Sequence, residues 1–344
     1  MTNTTTPAVD IDADLLAAYL SQHIDGFCTP LVISKFPGGQ SNPTFRLQTS
    51  QGDYVLRRKP AGKLLKSAHA VDREFKVLSA LIESDVPVAK AYHLCEDDSV
   101  IGSMFYVMEY IDGRVMWDPS LPGETNTSRA AIYSEMNRVL ACIHSLDIDA
   151  AGLSDFGKAG NYYERQMSRW VTQYRASETE TIPAMEQLIE WLLANTPADD
   201  GRVSLVHGDF RLDNMMFARN DTRVIAVVDW ELSTLGHPFA DLAYQCMQWR
   251  MPHQGELSGL GGLDREALGI PTEADYVAQY CSRMGIDGID NWPFYLAFSF
   301  FRLAAILQGV KKRALDGNAS SAKAMKMGSF VQPLAAMAIQ LLDE

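Results

Sequence analysis

The chain has 344 residues, of which 47% are hydrophobic and 21% are charged. This balance is typical of a globular protein, and it excludes a disordered, collagen-like or low-complexity chain. Acidic residues outnumber Lys and Arg by 43 to 30, which gives a formal net charge of −13. Such a protein is not suited to bind phosphate backbones or anionic lipid. We therefore expect neither a nucleic acid nor a membrane as a partner, and the length suggests about two domains.

The sequence carries no sign of export or of a membrane span. Its five cysteines are scattered without a C-x-x-C pair, which argues against a disulfide framework, a zinc clip or a redox pair. The first 14 residues lack the basic start and the apolar run of a signal peptide. The longest apolar stretch, about 292–310, is interrupted by Arg302, which favours a buried helix. We expect a cytoplasmic protein.

The first third of the chain predicts a small antiparallel sheet with helices. Residues 1–30 predict a loose tail and a helix over 14–21, and residues 31–113 predict a first domain. Apolar residues at helical spacing predict a helix over 71–83. Alternating residues between turn signals predict strands. These predicted strands cover residues 31–36, 44–49, 54–57, 92–95 and 105–110.

Beyond residue 113 the sequence becomes mostly helical, and residues 114–344 predict a second domain. A cluster of three strands interrupts the helices at 203–206, 215–218 and 224–228. Apolar periodicity places helices on both sides of this cluster. The predicted helices cover 129–145, 167–174, 184–194, a segment from 241, 273–284, 294–312 and a segment from 322 to the end.

Polar residues follow two apolar runs in the second domain. Residues 205–214 read Leu-Val-His-Gly-Asp-Phe-Arg-Leu-Asp-Asn, so Asn214 follows Asp209 by five positions. The next apolar run, 224–228, ends at Asp229. Carboxylate and amide oxygens suit Mg²⁺, and a further carboxylate can accept the proton of a substrate hydroxyl. Phosphoryl transfer needs these parts. The order Asp209, Asn214, Asp229 therefore favours a functional site. For His207 we expect a structural role instead of proton transfer.

Residues 207–214 resemble the H-G-D-x-x-x-x-N loop of the aminoglycoside phosphotransferase family, and their spacing matches the protein-kinase catalytic loop. The resemblance implies an α+β, two-lobed protein-kinase-like fold, with a small antiparallel-sheet N-lobe and a mostly helical C-lobe. It implies Asp209 as the catalytic base and Asn214 and Asp229 as Mg²⁺ ligands. Arg211 is implied to touch the transferred phosphate. Asp241 most simply caps a helix, whereas the resemblance implies that it supports the catalytic loop.

The segment 107–113 resembles the strand and hinge that dock adenine in this family. By that match Met108 is the gatekeeper residue. The Glu109 carbonyl and the Ile111 amide are implied to pair with the edge of the base. The hinge resemblance therefore favours ATP over GTP as the nucleotide.

Two further segments of the first domain resemble the parts of this family that hold nucleotide phosphates. Arg57 stands at the position of the phosphate-binding lysine, and Glu74 is implied as its ion-pair partner. Arginine binds phosphate through a rigid fork, and Lys59 is the alternative to Arg57. Residues 38–42 stand where the nucleotide-covering loop belongs. Ser41 and the backbone amides of that loop are expected to contact phosphates.

Three sequence runs resemble a subgroup that includes the kinase-like domains fused to acyl-CoA dehydrogenases. They are Arg-Arg-Lys-Pro at 57–60, Ser-Ala-His-Ala-Val-Asp-Arg-Glu at 67–74 and Asp-Trp-Glu at 229–231. The resemblance implies an enzyme that uses ATP and Mg²⁺ to phosphorylate a hydroxyl of a small molecule, with a hydroxyacyl-CoA as the implied acceptor.

Other acceptors and other functions remain open at this point. Aminoglycoside, choline-like and sugar acceptors are the alternatives within the family. A polycationic aminoglycoside needs an acidic pocket, and coenzyme A needs basic residues instead. A protein kinase is disfavoured because no activation segment ending in Ala-Pro-Glu follows Asp229. A non-catalytic nucleotide-binding or scaffold module is the alternative of another class. The sequence leaves the oligomeric state open.

Overall fold

The structure is a computed structural model that describes residues 10–36, 42–60, 70–317 and 322–342. The chain divides into two units. The first comprises Met1–Arg114 together with Ile225–Glu231, and the second comprises Val115–Val224 together with Leu232–Glu344. Asp229 therefore belongs to the first unit and Asp209 to the second.

The described elements up to residue 115 are six strands and two helices, and beyond it they are mostly helices. In chain order they are α1 Ala13–His23, β1 Val32–Lys35, β2 Thr44–Gln48, β3 Asp53–Arg58, α2 Val71–Leu81, β4 Ala91–Cys95, β5 Phe105–Glu109, β6 Arg114–Val115, α3 Asn126–His144, α4 Tyr162–Ser177, α5 Pro183–Ala194, β7 Ser204–Val206, β8 Met215–Phe217, β9 Val224–Val227, β10 Thr234–Gly236, α6 Phe239–Arg250, α7 Arg265–Leu268, α8 Glu273–Met284, α9 Trp292–Leu315, α10 Ala322–Gly328 and α11 Val331–Gln340.

The first unit is built on an antiparallel sheet with the strand order β1-β2-β3-β5-β4. Alternate residues of β2, Phe45 and Leu47, are buried, and they belong to one apolar cluster with Leu56 of β3 and with Leu16 and Leu20 of α1. Burial of apolar surface, worth about 25 cal/mol per Å², stabilises this arrangement. The sheet thus fixes the register of β3 against β5, in which Val55 lies opposite Met108.

Helix α2 packs against β4 and β5 through an apolar stripe. Val71, Val77, Leu78 and Leu81 on this stripe are buried. Glu74 lies on the same buried side of the helix. The helical periodicity that buries these apolar residues therefore also buries a carboxylate.

The segment 225–231 belongs to the first unit although it is distant in sequence. The Val227 amide donates a hydrogen bond of 2.8 Å to the Pro87 carbonyl. Two residues later, Asp229 has φ 67°, which lies in the left-handed region. Few residues other than glycine adopt this region, and Asp is among those that tolerate it. The backbone therefore turns sharply at the Asp229 carboxylate.

Helix α9 is central to the second unit, where it packs against α4, α5, α6, α10 and α11. Among the described helices, it alone is long and apolar enough to cross a membrane by length and composition. However, 67% of its most apolar window is buried inside the fold. Phe294, Phe298, Phe300 and Phe301 contribute to this burial. The helix therefore has the burial that the sequence predicts for a core helix.

The α+β class is confirmed, with a small antiparallel sheet followed by a mostly helical region. Three short elements escape the sequence prediction: β6, β10 and α7. Each has two to four residues, which is too short for a periodic pattern. The β10 strand forms by pairing with β7, in a register that places Leu235 opposite Leu205. Such pairing depends on tertiary contacts and not on local sequence.

Candidate active site

Asp241 holds the loop that carries the His-Gly-Asp motif, residues 207–214, which we call the His-Gly-Asp loop. Its carboxylate is fully buried and accepts the His207 amide at 2.6 Å and the Gly208 amide at 2.8 Å. Burial raises the pKa of Asp241, but His144 and the backbone donors outweigh burial and bring that pKa below its usual 3.8. The carboxylate therefore supports the loop, as the resemblance implies. The helix α6 begins after Pro238, without a side-chain cap.

The glycine and the histidine of the motif shape the same turn. Gly208 has φ 86°, and a Cβ atom there would lie 2.6 Å from the Leu232 carbonyl oxygen. Only glycine fits such a position without strain. The buried His207 accepts the Asp209 amide on Nδ1 at 3.2 Å. His207 therefore has a structural contact, as expected.

The loop brings Asp209 and Asn214 together. A short 3₁₀ turn over Leu212–Asn214 directs the Asn214 side chain back to Asp209. Its Nδ2 donates to the Asp209 backbone oxygen at 2.9 Å and to the Asp209 carboxylate at 3.0 Å. These contacts occupy the amide nitrogen, so Oδ1 of Asn214 is the atom suited to bind a metal ion. A hard oxygen of this kind fits Mg²⁺.

Arg211 forms an ion pair that the sequence analysis does not anticipate. Its guanidinium donates through Nε and Nη2 to the two carboxylate oxygens of Asp213, with 2.6 Å for the Nη2 contact. Burial lowers the pKa of Arg211, but Asp213 outweighs it and raises that pKa above its ordinary value. The predicted phosphate contact of Arg211 would have to compete with this pair.

In the first unit, Arg57 lies among three carboxylates, and we call Arg57, Glu74, Asp229 and Glu231 the Arg57 cluster. Nε of Arg57 lies 3.3 Å from Glu74, and Nη2 lies 2.7 Å from Asp229 and 3.6 Å from Glu231. Burial opposes the charge, but the carboxylates raise the pKa of Arg57 above its ordinary value. The expected Arg57–Glu74 ion pair is thus present, whereas Lys59 pairs with Asp72 at 3.5 Å.

Glu74 is held from three sides and is only 1% exposed. The Tyr106 hydroxyl donates to its carboxylate at 2.8 Å, and Asn42 Nδ2 donates at 3.3 Å. Burial is the main reason why the pKa of Glu74 rises to about 7, although Arg57 and Tyr106 act in the opposite direction. The Glu74 carboxyl therefore gains or loses its proton near neutral pH.

Three carboxylates of the cluster could share a cation. One oxygen each from Glu74, Asp229 and Glu231 lies within 4.8 Å of the others. Carboxylate oxygens are the ligands that Mg²⁺ prefers in proteins. Glu231 is missing from the predicted metal ligands, although the Asp-Trp-Glu spacing places its carboxylate two residues after Asp229.

The predicted hinge residues lie at and after the end of β5. Met108 and Glu109 are the last two residues of the strand, Ile111 follows it, and all three are half-buried. The Glu109 amide donates to the Lys90 carbonyl at 2.8 Å. Ser41, the remaining predicted nucleotide contact, lies outside the described residues.

A cavity of about 320 Å³ in the second unit adjoins the His-Gly-Asp loop. Trp117 on its wall is 77% exposed. Its charged lining residues are Arg211 and Asp213, which pair with each other, and Glu256, which pairs with Lys326 at 2.7 Å. The uncharged lining residues include the polar Gln248 and Ser258 as well as the apolar side chains Leu212, Met247, Met251, Leu257 and Leu303.

A larger cavity of about 930 Å³ in the same unit includes no residue of the His-Gly-Asp loop. Its Glu273 is already engaged by Arg250 at 2.6 Å and by the Trp292 indole at 3.0 Å. The smaller cavity is therefore the one relevant to the predicted chemistry.

The chain belongs to the phosphotransferase enzyme family, whose sequence profile matches residues 32–272. The family resemblance drawn from the His-Gly-Asp loop and the two-lobed, kinase-like fold are thereby confirmed. A Ralstonia eutropha protein, described as a candidate aminoglycoside phosphotransferase, is 52% identical with a TM-score of 0.89, covering 96% of this chain and 98% of that one. Aminoglycoside phosphotransferase APH(4)-Ia, solved with AMP-PNP and hygromycin B, shares the fold at a TM-score of 0.62 and 14% identity, covering 95% and 98% of the two chains.

Longer relatives also contain a region similar to this chain. Acyl-CoA dehydrogenase family member 10 of Mus musculus is 51% identical over 330 residues, which are 95% of this chain and 31% of the relative. Acyl-CoA dehydrogenase family member 11 of Homo sapiens is 45% identical over 340 residues, which are 97% of this chain and 44% of the relative. The chain thus spans less than half the length of these relatives. Both fit the subgroup that the three sequence runs indicate.

Proposed function

We propose that this protein transfers the γ-phosphoryl group of ATP to a hydroxyl of a small molecule. The pair formed by Asp209 and Asn214 carries the proposal, because one amide group fixes both the backbone and the carboxylate of the expected base. Such preorganisation is what phosphoryl transfer requires of a protein, since its catalysis comes mainly from positioning and electrostatics. The AMP-PNP complex of APH(4)-Ia, which has the same fold, supports ATP as the nucleotide.

In this proposal Asp209 orients the acceptor hydroxyl and takes its proton. The hydroxyl oxygen forms a bond to the γ-phosphorus while the bond between that phosphorus and the bridging oxygen of ADP breaks. The proton moves to the Asp209 carboxylate, and ADP leaves with the electron pair of the broken bond. Asn214 holds the carboxylate in place throughout. A base positioned in this way contributes about 10²–10⁴-fold to the rate.

The proposed metal ligands are Asn214 and Asp229, joined by Glu231 of the Arg57 cluster. All three offer the hard oxygen atoms that suit Mg²⁺. When bound, Mg²⁺ offsets the charge that develops on the nucleotide phosphates. Arg57 supplies a fixed cation to the same phosphates through its planar fork. Met108, Glu109, Ile111 and Ser41 stay proposed contacts of the nucleotide.

For the acceptor, we propose a hydroxyl on an acyl chain, with a hydroxyacyl-CoA as the first candidate. The names of the longer relatives, which are acyl-CoA dehydrogenase family members, support this class. The cavity beside the His-Gly-Asp loop supports it too, because apolar side chains such as Met247, Met251 and Leu257 line part of it and its carboxylates already have cationic partners. A polycationic aminoglycoside would have to displace these cationic partners before it could use the two carboxylates of the wall, Asp213 and Glu256.

Coenzyme A would need basic residues for its phosphates, and two lysines of α9 offer them but are engaged in ion pairs. Lys311 pairs with Glu180 at 2.6 Å, and Lys312 pairs with Asp316 at 2.8 Å. These exposed pairs contribute little energy, so the phosphates of a ligand could replace their carboxylates. The acyl part of the acceptor therefore has stronger support than the nucleotide part of coenzyme A.

The test is ADP release from MgATP across a panel of acceptors. The panel holds hydroxyacyl-CoAs, the matching free hydroxy acids, aminoglycosides, choline and simple sugars. Asp209→Asn is expected to lower stimulated release by about 10²–10⁴-fold. Asp155→Asn is the matched control. Asp155 begins an Asp-Phe-Gly triplet, but this triplet precedes the His-Gly-Asp motif, whereas the expected metal ligand Asp229 follows it. Equal loss in both variants, or release by Asp209→Asn at the wild-type rate, would contradict the assignment of the base.

Two other results would change the proposal in different ways. Stimulation by aminoglycosides and not by acyl compounds would refute the acceptor class while leaving phosphoryl transfer intact. If no acceptor stimulates release, thermal unfolding is measured with and without MgATP. Stabilisation by MgATP would mean that the true acceptor is missing from the panel. If MgATP does not stabilise the protein, phosphoryl transfer from ATP is refuted. The protein would then be a non-catalytic module with a kinase-like fold.

A further inference from the structure

Gln248 places a buried amide group on the wall of the cavity beside the His-Gly-Asp loop. The residue lies on α6 and is only 8% exposed. Its Oε1 accepts a hydrogen bond of 3.4 Å from Nε2 of Gln245, which is fully buried on the same helix. Residues three positions apart on a helix are neighbours on its surface. The side chain of Gln248 is therefore held through its oxygen atom.

The amide nitrogen of Gln248 is left for a ligand. Among the described residues Nε2 has no hydrogen-bond partner, and unlike Oε1 of Gln245 it is not shut off from solvent. Because the side chain lines the cavity, the two N–H donors of this nitrogen face that space. A largely buried donor costs free energy unless an acceptor meets it. The wall thus offers a hydrogen bond to an oxygen atom of a bound molecule.

Trp117 adds a large apolar surface to the same cavity. Most of its side chain is exposed, although the backbone that follows it is firmly held. The Tyr133 hydroxyl donates to the Pro119 carbonyl at 2.6 Å, and Nε of Arg129 donates to the Ser120 carbonyl at 2.9 Å. A tryptophan buries a large apolar area when another molecule covers it. An exposed indole beside a fixed segment is therefore suited to contact a ligand in the cavity.

The charges and the size of the cavity favour a small neutral ligand. Its charged lining residues already form ion pairs, Arg211 with Asp213 and Glu256 with Lys326. The volume of about 320 Å³ lies at the lower end of the range for ligand pockets, about 300–1,000 Å³. A short acyl group matches this wall, since it combines one carbonyl oxygen with an apolar chain.

We propose that Gln248 determines the specificity of this cavity by donating a hydrogen bond from Nε2 to the carbonyl oxygen of an acyl group. The acyl chain then lies against Trp117. Choline and ring-form sugars have no carbonyl oxygen, so they would leave the buried donor without a partner. Because residues 211–213 of the His-Gly-Asp loop line the same cavity, the bound chain lies beside that loop. The link to turnover rests on the proposed function, whereas binding of the acyl group does not.

The first test compares two probes by titration calorimetry without nucleotide. The probes are butanoyl-CoA and the thioether butyl-CoA, in which a CH₂ group replaces the carbonyl. Their coenzyme part is identical, so any difference in affinity reports on the carbonyl. We expect the wild type to bind butanoyl-CoA about tenfold more tightly than butyl-CoA. Equal affinities, or no binding of either probe, would overturn the proposal without the need for a variant.

Variants then assign this preference to one side chain. Gln248→Met keeps the length of the side chain without its donor, and it should bind both probes equally. Gln248→Glu should lose the preference as well, because a carboxylate cannot donate a hydrogen bond. Gln173→Met is the matched control, since Gln173 is an exposed glutamine of α4 outside this cavity. A preference that persists in Gln248→Met would refute the role of Gln248.

Trp117→Ala should have a different effect, because an apolar contact does not distinguish a carbonyl from a CH₂ group. We expect it to weaken both probes by about tenfold while the preference for butanoyl-CoA remains. The ADP-release panel separates this inference from the proposed function. Preferred binding of butanoyl-CoA without release by any hydroxyacyl-CoA would refute only the proposed acceptor. Release by a hydroxyacyl-CoA without that binding preference would refute only the role of Gln248.

Discussion

Replacing Asp241 with Asn tests how strongly a single buried carboxylate holds the His-Gly-Asp loop. In the wild type this carboxylate accepts two backbone amides, at 2.6 and 2.8 Å. Hydrogen bonds to a charged group contribute about 1.5–3 kcal/mol each. Asparagine keeps one oxygen, but its NH₂ group must face the second amide hydrogen. We therefore expect Asp241→Asn to lower the free energy of unfolding by about 2–4 kcal/mol.

Urea denaturation measures this change, and Asp147→Asn is the matched control. Asp147 also accepts two backbone amides, at 3.1 and 3.0 Å, but it is exposed to solvent. The control should change stability by no more than about 0.5 kcal/mol. We also expect kcat of Asp241→Asn to fall by about 10–100-fold, because the loop shifts. Equal destabilisation in the two variants would refute the reasoning.

The pH dependence gives a second check on Asp241. Its pKa in the folded protein lies below the usual 3.8. A carboxylate with a lowered pKa contributes stability above its unfolded value and loses that contribution as the pH falls through the folded value. The stability gap between the wild type and Asp241→Asn should therefore narrow below pH 3.8. A gap that widens on acidification would show that the wild-type carboxyl is not charged in the folded state.

Three further predictions concern other residues. Gly208→Ala should lower the free energy of unfolding by about 1–3 kcal/mol, measured in urea, because φ is 86° and the added Cβ would meet the Leu232 carbonyl. Burial is the main reason why the pKa of His237 lies below 6.5, so the unfolded state binds the proton first and stability rises as the pH approaches 6.5. His237→Asn should flatten that rise, as urea denaturation on both sides of pH 6.5 would show. Arg57→Met should lower kcat/KM for MgATP by about tenfold or more, whereas Lys59→Met should have little effect; a larger effect of Lys59→Met would assign the phosphate contact to that lysine.

Much of the fold could be predicted because it depends on local pattern. The alternation in β2 and the helical spacing in α2 place most of the apolar residues correctly in the core. The exception at the end of α2 is Ile82, which the spacing assigns to the apolar face but which is 41% exposed. The ion pair between Arg57 and Glu74 was also expected, but from the family resemblance and not from local pattern. Local pattern therefore carries the information for the elements, whereas the resemblance carries it for the ion pair.

The parts that could not be predicted depend on residues far apart in the sequence. In the sequence Arg302 only interrupts an apolar run. In the structure its Nη2 donates a hydrogen bond of 2.6 Å to the Gly208 carbonyl, 94 positions earlier, and no spacing in the sequence links the two residues. The Arg211–Asp213 pair was not predicted for another reason. The motif suggests a phosphate as the partner of Arg211, but in the structure its guanidinium pairs with Asp213. Competition between partners becomes visible only when distances are known.

The first unit consists of two segments that are distant in sequence, and this limits which gene fragments can encode it. A gene fragment that stops at residue 114 would encode Arg57 and Glu74 without the two carboxylates at 229 and 231. The guanidinium would then lose most of its anionic surroundings. The first unit therefore cannot be copied as a segment that ends at residue 114 and keep the Arg57 cluster. A recombination event that preserves this cluster must carry residues 57 to 231 together.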